Sequence, residues 1–73
     1  MNVPDIVKRL LHQQTIPDWA NWVAQDADGQ WWIYQAEPLL HHRGWYENEI
    51  GVYQKLGQSS ACMNWQEQLF RLK

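Results

Sequence analysis

Seventy-three residues make one domain, near the size at which a hydrophobic core just suffices without help, burying roughly 60% of the surface its unfolded chain exposes. A lone cysteine, Cys62, excludes an internal disulfide and fits a reducing cytosol better than a secreted scaffold. Six Lys or Arg against eight Asp or Glu leave a net charge of −2 with no basic stripe, which disfavours direct binding to duplex nucleic acid, where phosphate neutralisation supplies much of the affinity.

Composition places the stabilisation elsewhere. Six Trp, three Tyr and one Phe each bring a large apolar surface, so a few of them replace many aliphatics. A core this small cannot enclose all six indoles, and those left over are expected at the surface or in a contact. Small domains also gain stability by self-association, so a homo-oligomer is one expectation. The N-terminal stretch lacks a continuous apolar run and no segment reaches the ~20 apolar residues of a membrane span, so a cytoplasmic protein is expected.

In chain order, residues 4–14 read as a helix. Pro4 stands where a first-turn proline is tolerated and Asp5 by the positive end of the helix dipole. Ile6, Val7, Leu10 and Leu11 form an apolar stripe, with Lys8, Arg9, Gln13 and Gln14 facing away. Thr15–Asp18, with Pro17, ends the helix, because Ile16 before proline is pushed out of the α region.

Residues 19–36 read as a β-hairpin. Trp19–Gln25 and Gln30–Ala36 are strand-like runs around a turn, Asp26-Ala27-Asp28-Gly29, whose closing glycine accepts the left-handed conformation. Both strand faces carry large apolar groups, so a cover is expected on each. After Pro38, residues 39–44 read as a connection, Trp45-Tyr46-Glu47 as a third strand, Asn48-Glu49 as a turn or bulge, and residues 50–56 as a fourth strand or a continuation. Residues 57–60 read as a loop. Residues 65–72 read as a short helix, capped by Asn64 with Glu67 in the capping-box position. The expected fold is α+β: a small antiparallel three- to four-stranded β-meander with an N-terminal helix and a short C-terminal helix, in a single domain over residues 1–73.

No catalytic set emerges. His41, His42, His12 and Cys62 lack the paired spacing of a zinc site. Cys62 lies between Ala61 and Met63 and reads as a small buried hydrophobe rather than a nucleophile. Asp26 and Asp28 belong to a turn, where aspartate bonds its own backbone, and Glu47 and Glu49 read as solvated. The calcium-loop resemblance of Asp26–Gly29 fails for want of a glutamate at position twelve. The four glycines form no phosphate cradle. The reading is a non-enzyme with no cofactor and no metal.

The tryptophans remain. Trp22 and Trp65 are the best core candidates. Trp31, Trp32, Tyr34, Trp45 and Tyr46 are the pool for an exposed aromatic patch, with Arg43 as a polar anchor. Since Trp31 and Trp32 point to opposite faces, only one belongs to the patch, and the more aromatic face is that of Trp32 and Tyr34. The candidate partner-binding residues are Trp32, Tyr34, Arg43, Trp45 and Tyr46.

The stretch from Asp18 to Pro38, with the pattern W-A-x-W-x-A-x-D-x-x-G-x-W-W-x-Y followed by a proline, resembles small uncharacterised proteins encoded by tailed bacteriophages and prophages. A W-x-x-x-L element, Trp65 to Leu69, is similar as well. The resemblance implies a phage or prophage accessory protein made in the bacterial cytoplasm, and carries no activity and no functional residues with it. Protein–protein binding to a host or phage protein is the expected mode. The alternatives are a single-stranded nucleic-acid binder that stacks bases on sheet aromatics and an inhibitor of a bacterial defence system.

Overall fold

The computed structural model describes residues 3–47 and 51–73. Its elements are α1 (Asp5–His12), β1 (Trp22–Gln25), β2 (Gln30–Tyr34), β3 (Leu39–His41), β4 (Gly44–Tyr46), β5 (Tyr53–Gln58), a 3₁₀ turn (Trp65–Glu67) and β6 (Leu69–Arg71). The α+β expectation holds, with an N-terminal helix and an antiparallel sheet.

The central hairpin forms where the turn chemistry placed it. Gly29 N–H donates to Asp26 O at 3.0 Å, closing the turn. Gly29 has φ +92°, and a Cβ there would also run into the Ser59 carbonyl oxygen, so no other residue fits. Register pairs Val23 with Ile33 and Ala24 with Trp32, so alternation sends Trp31, Ile33 and Val23 to one face and Trp22, Ala24, Trp32 and Tyr34 to the other.

Helix α1 covers the first face. Val3, Val7, Val23, Trp31, Ile33 and Leu56 form the core, with Ile6, Leu10, Leu11 and Phe70 packed against it. The stripe read from the sequence is the stripe that docks. Trp31 is 1% exposed and is among the largest fully buried side chains. Its indole N–H donates to Ser59 Oγ at 2.9 Å. Burial thus falls on Trp31 rather than on the core candidates Trp22 and Trp65, which are both half-buried. The reason is topological: the helix lands on the Trp31 face, leaving Trp22 on the opposite face under the Arg71 guanidinium, 5.6 Å from its ring.

The meander is corrected. Strand order in the main sheet is β5-β2-β1-β6, and β3 pairs with β4 in a separate two-stranded sheet. Residues 39–44, read as a connection, supply β3 and the start of β4. Glu47 lies beyond β4. The fourth strand runs over Tyr53–Gln58 rather than residues 50–56, so Gly57 and Gln58 extend the ladder instead of starting a loop. The turn or bulge read at Asn48-Glu49 lies outside the described residues. A bulge does occur within β5. Trp32 opposes Lys55 and Trp31 opposes Gly57, leaving Leu56 as the extra residue, and it is buried.

The C-terminal helix is also corrected. Asn64 makes no side-chain cap bond, and helical structure stops after one 3₁₀ turn. Residues 69–71 form β6 along β1, with Gln25 N–H donating to Gln68 O at 3.1 Å and Leu72 N–H to Asn21 O at 2.7 Å. A one-turn nucleus gains little by itself, whereas the free edge of β1 offers alternate residues backbone partners and lets Phe70 and Leu72 reach the core.

Gln25, unremarked in the sequence, is fully buried on the helix face. Its amide donates to Ser59 Oγ at 3.2 Å and Ser60 O at 3.1 Å, fastening the segment after β5 to the central hairpin.

Candidate functional site

The sheet face that the helix leaves open carries Trp32 and Tyr34, and the β3–β4 hairpin, which carries Arg43, Trp45 and Tyr46, partly covers it. The base of this excursion is closed by Gln35 N–H donating to Val52 O at 3.0 Å, and Pro38 is buried beside it. Within the hairpin, Leu39 pairs with Tyr46, Leu40 with Trp45 and His41 with Gly44.

Asp26, at the end of β1, ties the hairpin to the sheet. Its Oδ1 accepts Trp45 N–H at 2.9 Å, and Ala27 N–H donates to Arg43 O at 3.2 Å. Gly44 makes this approach possible, because a Cβ there would stand 2.6 Å from Asp26 Oδ1. Burial pushes the Asp26 carboxyl above its ordinary pKa, and the charge of Asp28 adds to this, while the Trp45 N–H opposes it. The Trp32 indole also faces this carboxylate and favours its ionised form, the weakest of the four influences, without reaching hydrogen-bond geometry.

The five candidates divide into buried supports and an open rim. Tyr34 is 3% exposed and donates its hydroxyl to Trp45 O at 3.4 Å. Burial first, then the charges of Asp26 and Glu47 and the neighbouring Tyr53, hold its phenol above the usual range. Tyr34 therefore supports the surface from beneath. Trp32 and Trp45 are half-buried, each with its indole N–H enclosed and unpaired. Arg43 and Tyr46 are exposed, and together with His41, Gly44 and Trp45 they line an open concavity of about 490 Å³.

Apart from Met63, the exposed large apolar side chains among the described residues lie on the same hairpin and where β5 begins: Leu39, Leu40, Tyr46, Val52 and Tyr53, with Leu40 50% and Tyr53 49% exposed. Tyr53 packs its ring on Tyr34 at 6.3 Å and on Trp32 at 5.8 Å, joining the two groups. Sequence reading passed over Leu39, Leu40, Val52 and Tyr53. The adjacent leucines were a usable signal, since two neighbours on a strand cannot both face one core.

The remaining chemistry is sparse. The His41 and His42 rings lie 4.0 Å apart, tilted by 37°, and His41 meets Tyr46 edge-on at 5.9 Å, within the exposed hairpin. Among the described residues no group of three His, Cys, Asp or Glu side chains is placed to share a metal ion. Cys62 is exposed, which corrects its reading as a buried hydrophobe: the segment from Ala61 to Asn64 stands off the core, its neighbour Met63 fully in solvent. No described helix is long and apolar enough to cross a membrane. Compared with family models, with curated proteins and with solved structures, the chain finds no match.

Proposed function

We propose that this chain is a non-enzymatic binding module that docks a protein partner on the surface formed by the β3–β4 hairpin and the start of β5. The observation that carries the reading is the gathering of Leu39, Leu40, Tyr46, Val52 and Tyr53, all exposed, on these two segments. Large apolar patches on small domains mark contact sites, and interface hot spots favour aromatic and arginine anchors. Arg43 and Tyr46 at the rim of the concavity supply such anchors. The resemblance of the Asp18–Pro38 stretch to phage and prophage proteins supports a bacterial cytoplasmic setting and a host or phage protein as the partner.

The test is quantitative capture from bacterial lysate by the wild-type chain and by Leu40→Ser/Tyr53→Ser. Loss of at least about tenfold in one captured protein, with the circular dichroism spectrum retained, is the expected result, since a hot-spot residue is worth ~1–2 kcal/mol or more. Equal capture by both chains would refute the surface. The nucleic-acid reading is separated by titrating tryptophan fluorescence with oligonucleotide at low salt, where no quenching is expected of a chain with net charge −2. Sedimentation at high micromolar concentration shows whether the partner is a second copy.

A further inference from the structure

We infer that the β3–β4 hairpin is a hinged cover that lifts from the four-stranded sheet without unfolding it, uncovering Trp32, Tyr34 and Trp45. The inference stands on the docking of the hairpin and does not depend on the partner proposed above.

Three observations carry it. First, the hairpin is a separate unit: β3 and β4 pair only with one another, not with the main sheet. The base is fastened independently, by Gln35 N–H to Val52 O and by Asn21 Nδ2 donating to Gln35 O at 2.8 Å, so the body of the sheet does not need the hairpin to stay down. Second, the attachment is thin. Among the described residues three hydrogen bonds join the hairpin to the rest: Trp45 N–H to Asp26 Oδ1, Ala27 N–H to Arg43 O, and the long Tyr34 hydroxyl contact to Trp45 O at 3.4 Å. Leu39, Leu40 and Tyr46 are only about half covered, so the packing that holds the hairpin falls mainly to the half-buried Trp45.

Third, the docked position leaves polar groups unpaired. Trp32 Nε1 and Trp45 Nε1 are both enclosed with no hydrogen-bond partner. Such a buried donor is penalised, and water restores the lost bond once the group is exposed. The Asp26 carboxylate is likewise desolvated when the hairpin is down. Lifting therefore relieves three polar groups, against the three hydrogen bonds and the apolar cover of Trp32, Tyr34 and Trp45 that it gives up. The helix-facing side also encloses one unpaired polar atom, Gln25 Oε1, but opening there would expose the core of Val23, Trp31, Ile33 and Leu56. Low-stability units of this kind open locally, below the free energy of global unfolding.

Amide hydrogen exchange on the full chain tests this directly. The Trp45 and Ala27 amides report the docking, and the Asn21 and Gln25 amides, bonded to Tyr34 O and Gln68 O, report the sheet. Protection factors for Trp45 and Ala27 are expected to be alike and at least about tenfold below those of Asn21 and Gln25. Equal protection at all four would overturn the inference, because the hairpin would then open only with the whole fold.

A staple gives an independent readout. A Cβ at Gly44 would lie 3.3 Å from Asp26 Cβ, near the separation of about 3.5–4.5 Å that a disulfide spans. In a Cys62→Ser background, the oxidised Asp26→Cys/Gly44→Cys chain is expected to raise Ala27 protection to that of Asn21, and reduction to return it. If oxidation leaves Ala27 protection unchanged, the hairpin was not opening. Trp32→Phe removes one unpaired donor, and about a fivefold rise in Trp45 protection is expected; a fall relative to Asn21 would contradict the energetic argument.

Discussion

Asp26 does two jobs with one side chain, and they pull its ionisation in opposite directions. As a turn residue it starts the Asp26–Gly29 reversal, and as an acceptor it holds Trp45 N–H. Desolvation under the hairpin outweighs that bond, so the folded state binds the Asp26 proton more tightly than the unfolded chain does. The sign follows from linkage: a group with a raised native pKa contributes stability at low pH that is lost as pH rises from the unfolded carboxylate value, about 4, through the native value. Asp26→Asn keeps an acceptor for Trp45 and removes the buried charge. Urea titrations from pH 3.5 to 7 are therefore expected to show the variant gaining on the wild type as pH rises, then running parallel to it. A constant difference across that range would contradict the account. Asp26→Ala instead orphans the Trp45 N–H and is expected to cost about 1–3 kcal/mol at pH 7.

At the scale of elements, what the sequence made legible was local. The α1 stripe and the β1–β2 turn depend on residues a few positions apart, so periodicity and the Asp-Ala-Asp-Gly signature placed them. Residues 65–72 were not legible, because the capping pattern of Asn64 and Glu67 competes with a partner more than forty positions away in sequence, the open edge of β1. The pairing of β3 with β4 was hidden for a related reason: His41-His42-Arg43-Gly44 carries loop chemistry and turn chemistry alike. Phe70 decides between strand and helix for the C-terminus by its energetics. It is paired with Val23 and packed on the core, so Phe70→Ala is expected to cost about 2–3 kcal/mol, below the ~3–5 kcal/mol of a fully enclosed ring. A loss under 1 kcal/mol in chemical denaturation would mean that β6 adds little to the sheet.

Over the whole molecule, the two sides of the sheet serve different ends. One is closed by α1 around Trp31 and supplies the core; the other carries Trp32 and Tyr34, covered in part by a small hairpin that bears the exposed Leu39, Leu40 and Tyr46. The sheet edges themselves are guarded. On β5, Gln14 Nε2 donates to the outward Leu56 carbonyl at 2.6 Å, and the bulge and Lys55 interrupt the remainder, while β6 is three residues long. Edge pairing with another chain is thus poorly served, and the apolar hairpin surface is the better contact. Of the five candidate binding residues, Arg43, Trp45 and Tyr46 meet at the concavity, whereas Tyr34 is buried against Trp45 and Trp32 packs on Tyr53 instead. Sequence alternation separated Trp31 from Trp32, but which of them α1 would cover is set by the chain's path after Pro17 and leaves no mark on the residues of the strand.

Site-specific photo-crosslinking in bacterial cells tests the proposed contact most directly. A photoreactive phenylalanine replaces Leu40 or Tyr53 on the apolar surface, or Lys8 on the solvent side of α1, all three exposed. The account predicts one and the same protein adduct from positions 40 and 53 and none from position 8. Adducts from position 8 alone, or none from positions 40 and 53 in cells where the chain is folded, would contradict it.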